Sequence, residues 1–393
     1  MSTLVSALWS LARPVPGARR WSWCWSVAIP LLPLLAIALA EASGLRALLF
    51  APVIVIYALI PLLDAWIGTD PRNPPEQAVP ALERDRFYRA LTCVVVPLHY
   101  VVLAAGMAYV VLGTHSLLEA VVVTLSLGFA GGLAINVGHE LGHKNTRLER
   151  RCAQLALAVT GYGHFSIEHN VGHHAAVATP EDHASARMGE SVYRFVRREI
   201  PGGLRRGWDL EARRLRRRGL PAWSWHNEIL QSWTVTLLFQ GALVAWLGVS
   251  AVPWLLLHNA WAWFQLTAVN YIEHYGLLRR RGADGRLEPC RPNHSWNSNH
   301  VVSNLLLFHL QRHSDHHAHA ERRYQALRHF PEAPQLPTGY MGMTLLAYLP
   351  WLYFRVMDPR LVERAGGDLD GINLDPASAG RLRRRYGSPP SPK

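Results

Sequence analysis

The sequence predicts an all-α membrane protein with six transmembrane helices in three hairpins and a cytoplasmic helical cap. Three observations carry that expectation. Half of the 393 residues are hydrophobic, only 17% are charged, and 15 are tryptophan. The apolar residues fall in blocks approaching the roughly twenty residues that cross a bilayer, not at the spacing of a soluble amphipathic helix or strand. The formal charge of +12 is almost wholly arginine in the segments between those blocks, since the only lysines are Lys144 and Lys393. A basic balance of this kind also fits nucleic-acid binding, but arginines flanking apolar spans are explained more simply by anionic lipid and by membrane orientation.

Residues 1–26 read as a cytoplasmic segment, where Arg13, Arg19 and Arg20 precede an interfacial belt of Trp21, Trp23 and Trp25. Spans follow at about Val27–Ala40 and Ala47–Trp66; a cleaved signal peptide ending at Ala38-Leu39-Ala40 is the alternative for the first. The polar loop 67–90 turns at Asn73-Pro74-Pro75-Glu76. The next hairpin joins Leu91–Leu112 to Leu117–Val137 through four residues, and the last joins Ile229–Val249 to Val252–Tyr271. Residues 138–228 and 273–393 are polar and basic and belong to the cytoplasmic side, as do both termini. Within the second of these, Tyr340–Val356 is a short, proline-interrupted apolar stretch read as an interfacial helix, and the GSPPSPK tail reads as disordered. Asp64 and His99 lie in or beside spans, where an ionisable group is a functional candidate, although Asp64 stands close enough to the cytoplasmic end to be solvated.

The cysteines Cys24, Cys93, Cys152 and Cys290 form no CxxC pair and give no disulfide framework. The histidines are different. His139 and His143 begin where the fourth span ends, His169, His173 and His174 follow in the same polar segment, His274 closes the sixth span, and His313, His316 and His317 stand in one helical turn. Each imidazole carries a polar N–H that a core must satisfy, and neutral imidazole is the commonest ligand for transition metals. Metal coordination is therefore the sharp reading, and a solvated polar face the plain one. His139 with His143, and His169 with His173, are i and i+4, so each pair projects from one helix face. Adjacent His173 and His174 diverge by about 100° and can serve different ions. Nine imidazoles suit two metals better than one. Glu140, Glu168, Glu273 and Asp315 neighbour the clusters and are candidates to receive the second N–H of a ligating ring, direct ligation being the alternative. His309 and His319 flank the last cluster and are left out of the ligand set, as is His183.

Two other classes compete. HELGH fits the HExxH pattern of zinc proteases, with Glu140 as general base, but leaves seven histidines without work. A non-enzymatic metal transporter is the second, although transport sites normally lie near the bilayer midplane.

Taken together, HELGHK at His139, EHNVGHH at Glu168, NYIEHYGL at Asn270 and LQRHSDHHA at Leu310 resemble the integral-membrane alkane 1-monooxygenases, within the wider group of membrane fatty-acid desaturases and hydroxylases. The resemblance runs from the NPPE loop through TPEDHASARMGES at Thr179 to PQLPTGY near Tyr340. It implies a non-haem diiron centre of two iron ions held by the nine histidines, with dioxygen as oxidant and hydroxylation of the terminal methyl of medium- or long-chain n-alkanes. It also implies rubredoxin as electron donor, served by a separate reductase; this chain has no rubredoxin-like CxxC pair, so the donor must be a separate protein. The expected location is the cell inner membrane, with the metal site cytoplasmic. An aromatic-methyl monooxygenase or a fatty-acyl desaturase is the nearest alternative.

Overall fold

A computed structural model of the protein describes residues 18–387, so Arg13 and all but Gly387 of the tail lie outside the described residues. Those residues are helical, with isolated β-bridges such as Asn297 with Gln335 and no longer strand among them. Helix α1 (Arg20–Ser43) passes through a 3-10 turn at Ile29–Leu31, where Pro30 and Pro33 supply no backbone donors, and stops at Gly44, whose φ is 73°. Helix α2 (Arg46–Ile67) widens into a π turn over Val55–Leu59 just before Pro61. Helix α3 (Arg86–Leu112) is capped by the Asp85 carboxylate, which accepts from Phe87 N at 2.9 Å. Helix α4 (Leu117–Gly142) starts with a capping box between Ser116 and Glu119. The loops at this end are tied together by Arg46, which reaches Glu119 at 2.9 Å and Glu41 at 2.5 Å.

Helix α5 (Arg147–Ala158) was expected in the polar cap; instead it doubles back beside the spans. Tyr100, in the middle of α3, donates to Leu155 O at 2.7 Å. The chain then turns, runs through α6 (165–176) with a π turn over Glu168–His173, and continues into α7 (Val192–Arg216), α8 (Glu228–Leu247) and α9 (Ala251–His274). The carbonyls that the end of α5 leaves without helical partners are taken by side chains of the spans. Thr236 donates to Ala158 O (2.8 Å), Gln240 to Val159 O (3.0 Å) and Trp263 to Thr160 O (2.9 Å). Irregular backbone at that depth is tolerated because protein surrounds it and satisfies it.

Helices α1 to α4 and α8 are long and apolar enough to cross a membrane. Helix α9 has the length, but His258, Asn259, Gln265 and Asn270 interrupt its apolar run, and His258, Gln265 and Asn270 turn inward. The most apolar 18-residue stretch of α4 is 83% buried against 17% for α8, which makes α4 the axis of the bundle and α8 part of its rim. Close contact between α4 and α9 depends on glycine: a Cβ at Gly128 or Gly131 would come within 2.9 Å of Trp261 or His258.

Two short helices follow, α10 (Val301–Leu306) and α11 (His313–Ala318), and the first is tied to the bundle through Asp64. That carboxylate is fully buried and accepts from Val302 N, Ser303 N and Ser303 Oγ, so it caps α10 and is not a solvated charge. His99 is also buried, with its Nε2 unpartnered. The stretch Tyr340–Val356 is two helices, α12 (Tyr340–Ala347) and α13 (Pro350–Arg364), separated where Pro350 opens the second. One face puts Tyr340, Met343, Tyr353 and Met357 into the core, while Leu345, Leu349 and Trp351 remain exposed.

Candidate metal centre

The end of α4 delivers His139 and His143, α6 delivers His169, His173 and His174, the end of α9 delivers His274, and α11 delivers His313, His316 and His317. All nine rings converge. Eight form two groups, His139, His143, His169 and His316 in one and His173, His274, His313 and His317 in the other, with ligand atoms inside each within 4.8 Å of one another. His174 lies at the junction: its Nε2 is 3.1 Å from that of His169 and 3.2 Å from that of His316, and its ring is 4.4 Å from that of His317. The i, i+4 spacing of His169 and His173 predicts a shared face, yet they fall in different groups. They do share that face, with rings 5.1 Å apart along the π turn over Glu168–His173, and each contributes to a different group.

The chemistry of the donor set fits metal ions. Ring nitrogens converge at 3.2 Å for His274 with His313 and 3.0 Å for His317 with His313. The Nε2 atoms of His139 and His143 are buried without a partner, which a core would not leave unpaired at no cost. Burial first, then the neighbouring imidazoles, hold His143, His169, His313, His316 and His317 well below the usual histidine range, and His174 is brought down to about 3. Neutral rings with free lone pairs are the ligating form.

In the second group two outer nitrogens are anchored by hydrogen bonds and a third stands near a carboxylate without one. His173 Nδ1 lies 2.8 Å from Asp182 Oδ2, His274 Nδ1 lies 3.1 Å from His294 O, and His313 Nδ1 stands 3.2 Å from Glu273 Oε1. Asp182 in turn accepts from Ser185 Oγ and Arg206. Burial opposes its charge, but His173 and Arg206 outweigh that and hold its carboxyl below the usual range. In the first group packing substitutes for hydrogen bonds, with Phe165 stacked on His169 at 4.9 Å and 26°.

The other three acidic neighbours do different work. Glu140 pairs with Lys144 at 3.0 Å and accepts from Tyr324 N. Lys144 also donates to the carbonyls of Ala320, Glu321 and Arg322, so this pair fastens the chain that leaves α11. Glu168 receives Arg206, and Asp315 receives Arg322, His319 and Arg328 N. His309 lies under Trp23 with its Nδ1 2.9 Å from Tyr324 O, His319 stands beside Asp315, and His183 fills the space above Gly202, all three outside the two groups. Sequence reasoning missed Asp182. It sits in the TPEDHAS segment, nine residues from His173, at a spacing that no local periodicity connects.

The fatty acid desaturase family profile matches residues 116–347, which include every one of the nine histidines. The alkane 1-monooxygenase of Ectopseudomonas oleovorans is 50% identical over 370 residues, 94% of this chain and 92% of that protein. The chain belongs to this family. Alkane 1-monooxygenase 1 of Alcanivorax borkumensis is 48% identical, over 94% of this chain and 91% of its own length. More distant is the xylene/toluene monooxygenase hydroxylase component of Pseudomonas putida, 31% identical over 59% of this chain and 62% of that one.

Proposed function

We propose that the chain is a membrane non-haem diiron monooxygenase that hydroxylates the terminal methyl of medium- or long-chain n-alkanes to primary alcohols, using O2 and electrons from rubredoxin. The observation that carries this reading is the pair of four-histidine groups in a chain half identical to alkane 1-monooxygenases. His139, His143, His169 and His316 would hold one iron, His173, His274, His313 and His317 the other, and His174 lies within reach of both. Iron bound there supplies the oxygen activation that an unactivated C–H bond requires. The balance is RH + O2 + 2e⁻ + 2H⁺ → ROH + H2O.

The protein's own part is orientation, dryness and charge. Asp182 and the His294 carbonyl aim their rings inward and fix the tautomer. An apolar groove of about 510 Å³ between α1, α2 and α10, walled by Trp25, Ile29, Leu59, Ile60, Val302 and Leu306, supports access for an alkane from the bilayer. A straight chain held methyl-first is selected by position, since orientation replaces bond strength as the selector.

With α9 counted as a sixth span, the positive-inside rule supports an orientation with the basic segments and both termini on the cytoplasmic side of the inner membrane. On that side Arg147, Arg150, Arg151, Arg214 and Arg218 surround a depression of about 440 Å³ that reaches Gly142 and Asn170, beside the first histidine group. This supports docking of an acidic donor such as rubredoxin, with lipid headgroups as the competing ligand and no role for nucleic acid. The HExxH protease reading loses its base, because Glu140 is occupied by Lys144 and Tyr324 N.

Product analysis tests the substrate. Iron-loaded protein with rubredoxin, its reductase and an n-alkane should yield the 1-alcohol, with slower turnover of xylene and none of an acyl lipid. Preferential benzylic oxidation would move the assignment to the aromatic-methyl enzymes.

A further inference from the structure

Behind the second histidine group lies a buried acidic cluster with more carboxylates than cations. Arg206 donates to Glu168 Oε1 from Nε at 2.8 Å and from Nη2, and to Asp182 Oδ1 at 2.7 Å. Glu199 lies near the middle of the same helix, α7, and is 4% exposed. It accepts from Thr267 Oγ1 at 2.9 Å and Asn270 Nδ2 at 3.3 Å, both on α9 and both neutral. Two of the three buried carboxylates thus share one guanidinium, and Glu199 has no cation in contact.

The charged and titratable groups that face Glu199 are anionic or phenolic. Glu168 approaches from the π turn of α6, Asp182 from the loop after it, and Tyr162 from the turn after α5. Arg206, on Glu199's own helix, is spent on Glu168 and Asp182. Burial first, and then repulsion by Glu168, raise the Glu199 carboxyl to about 7. Asn270 stands one helical turn before His274, which places Glu199 on the order of 10 Å from the histidine groups. At that separation each unit of charge changes proton affinity by roughly tenfold in a medium of effective dielectric near 20.

We propose that Glu199 is a positioning residue for charge at this metal centre, taking up one proton when the centre gains an electron and releasing it when the electron leaves. The proposal rests on the diiron reading above. The proton comes from solvent and binds a Glu199 carboxylate oxygen to give the acid. The electron comes from the one-electron carrier and stays on the metals, so the net charge of the buried region is conserved.

Two readouts on the full-length protein test this. Infrared difference spectroscopy of zinc-loaded protein across its stable pH range should show a protonated carboxyl band that titrates in wild type and is absent in Glu199→Gln. Thr267→Val removes one of the two donors and should move that titration upward. In iron-loaded protein the midpoint potential should fall with rising pH, become flat in Glu199→Gln, and recover its slope in Glu199→Asp. A band and a potential slope that both survive in Glu199→Gln, or a titration unmoved in Thr267→Val, overturn the proposal. If the protein holds no redox-active iron, the diiron reading fails while the zinc-loaded titration still reports on Glu199.

Discussion

The two histidine groups are built by different means. In the second, two of the four rings have an outer nitrogen hydrogen-bonded to a carboxylate or carbonyl, from Asp182 and His294, and a third lies 3.2 Å from Glu273. In the first, no ring is hydrogen-bonded to a carboxylate or carbonyl among the described residues; the rings are placed by helix geometry and by Phe165. A hydrogen-bonded outer nitrogen selects the tautomer and aims the lone pair before metal arrives. A packed ring is aimed but keeps its choice of tautomer. The second group is therefore the more preorganised, and the first, beside the basic depression, is nearer to solvent.

Ways to break that contrast rank by size. Replacing His143 or His316 with alanine removes a ligand from the first group and should abolish both iron binding there and alkane hydroxylation. Full activity in either variant takes that residue out of the ligand set. Asp182→Asn leaves every ring in place but frees His173, so metal affinity or turnover should drop by roughly 10- to 100-fold. Chelator competition should show that loss at one of the two metals, and an equal loss at both would mean that the groups do not act separately. Phe165→Leu is the mildest, because an aromatic contact is worth about 0.5–1.5 kcal/mol. It should weaken binding in the first group about two- to tenfold and leave the second unchanged.

Much of this was legible in the chain because metal ligands and membrane spans follow local rules. The apolar blocks announced the helices, and histidines three or four residues apart announced a centre. What the sequence hid was non-local. His169 and His173 share a face as their spacing predicts, with rings 5.1 Å apart, but which group each joins is decided by the other elements, which bring His139, His143 and His316 to one and His274, His313 and His317 to the other. Asp182 reaches His173 through a loop, and Glu140 and Asp315, though adjacent to histidines in sequence, are spent on Lys144 and on Arg322. Adjacency in sequence predicted proximity to the rings but not the partner. Helix α5 carries three arginines in its first two turns and so read as cap, yet its apolar second half lies beside the spans because Thr236, Gln240 and Trp263 accommodate the backbone just beyond it.

Two separately constructed histidine groups should hold two irons. Metal identity and stoichiometry on the detergent-purified full-length protein test it most directly. Two irons per chain are expected, falling toward one in Asp182→Asn under mild chelation. A single zinc per chain, unaffected by loss of His173 or His317, would contradict it.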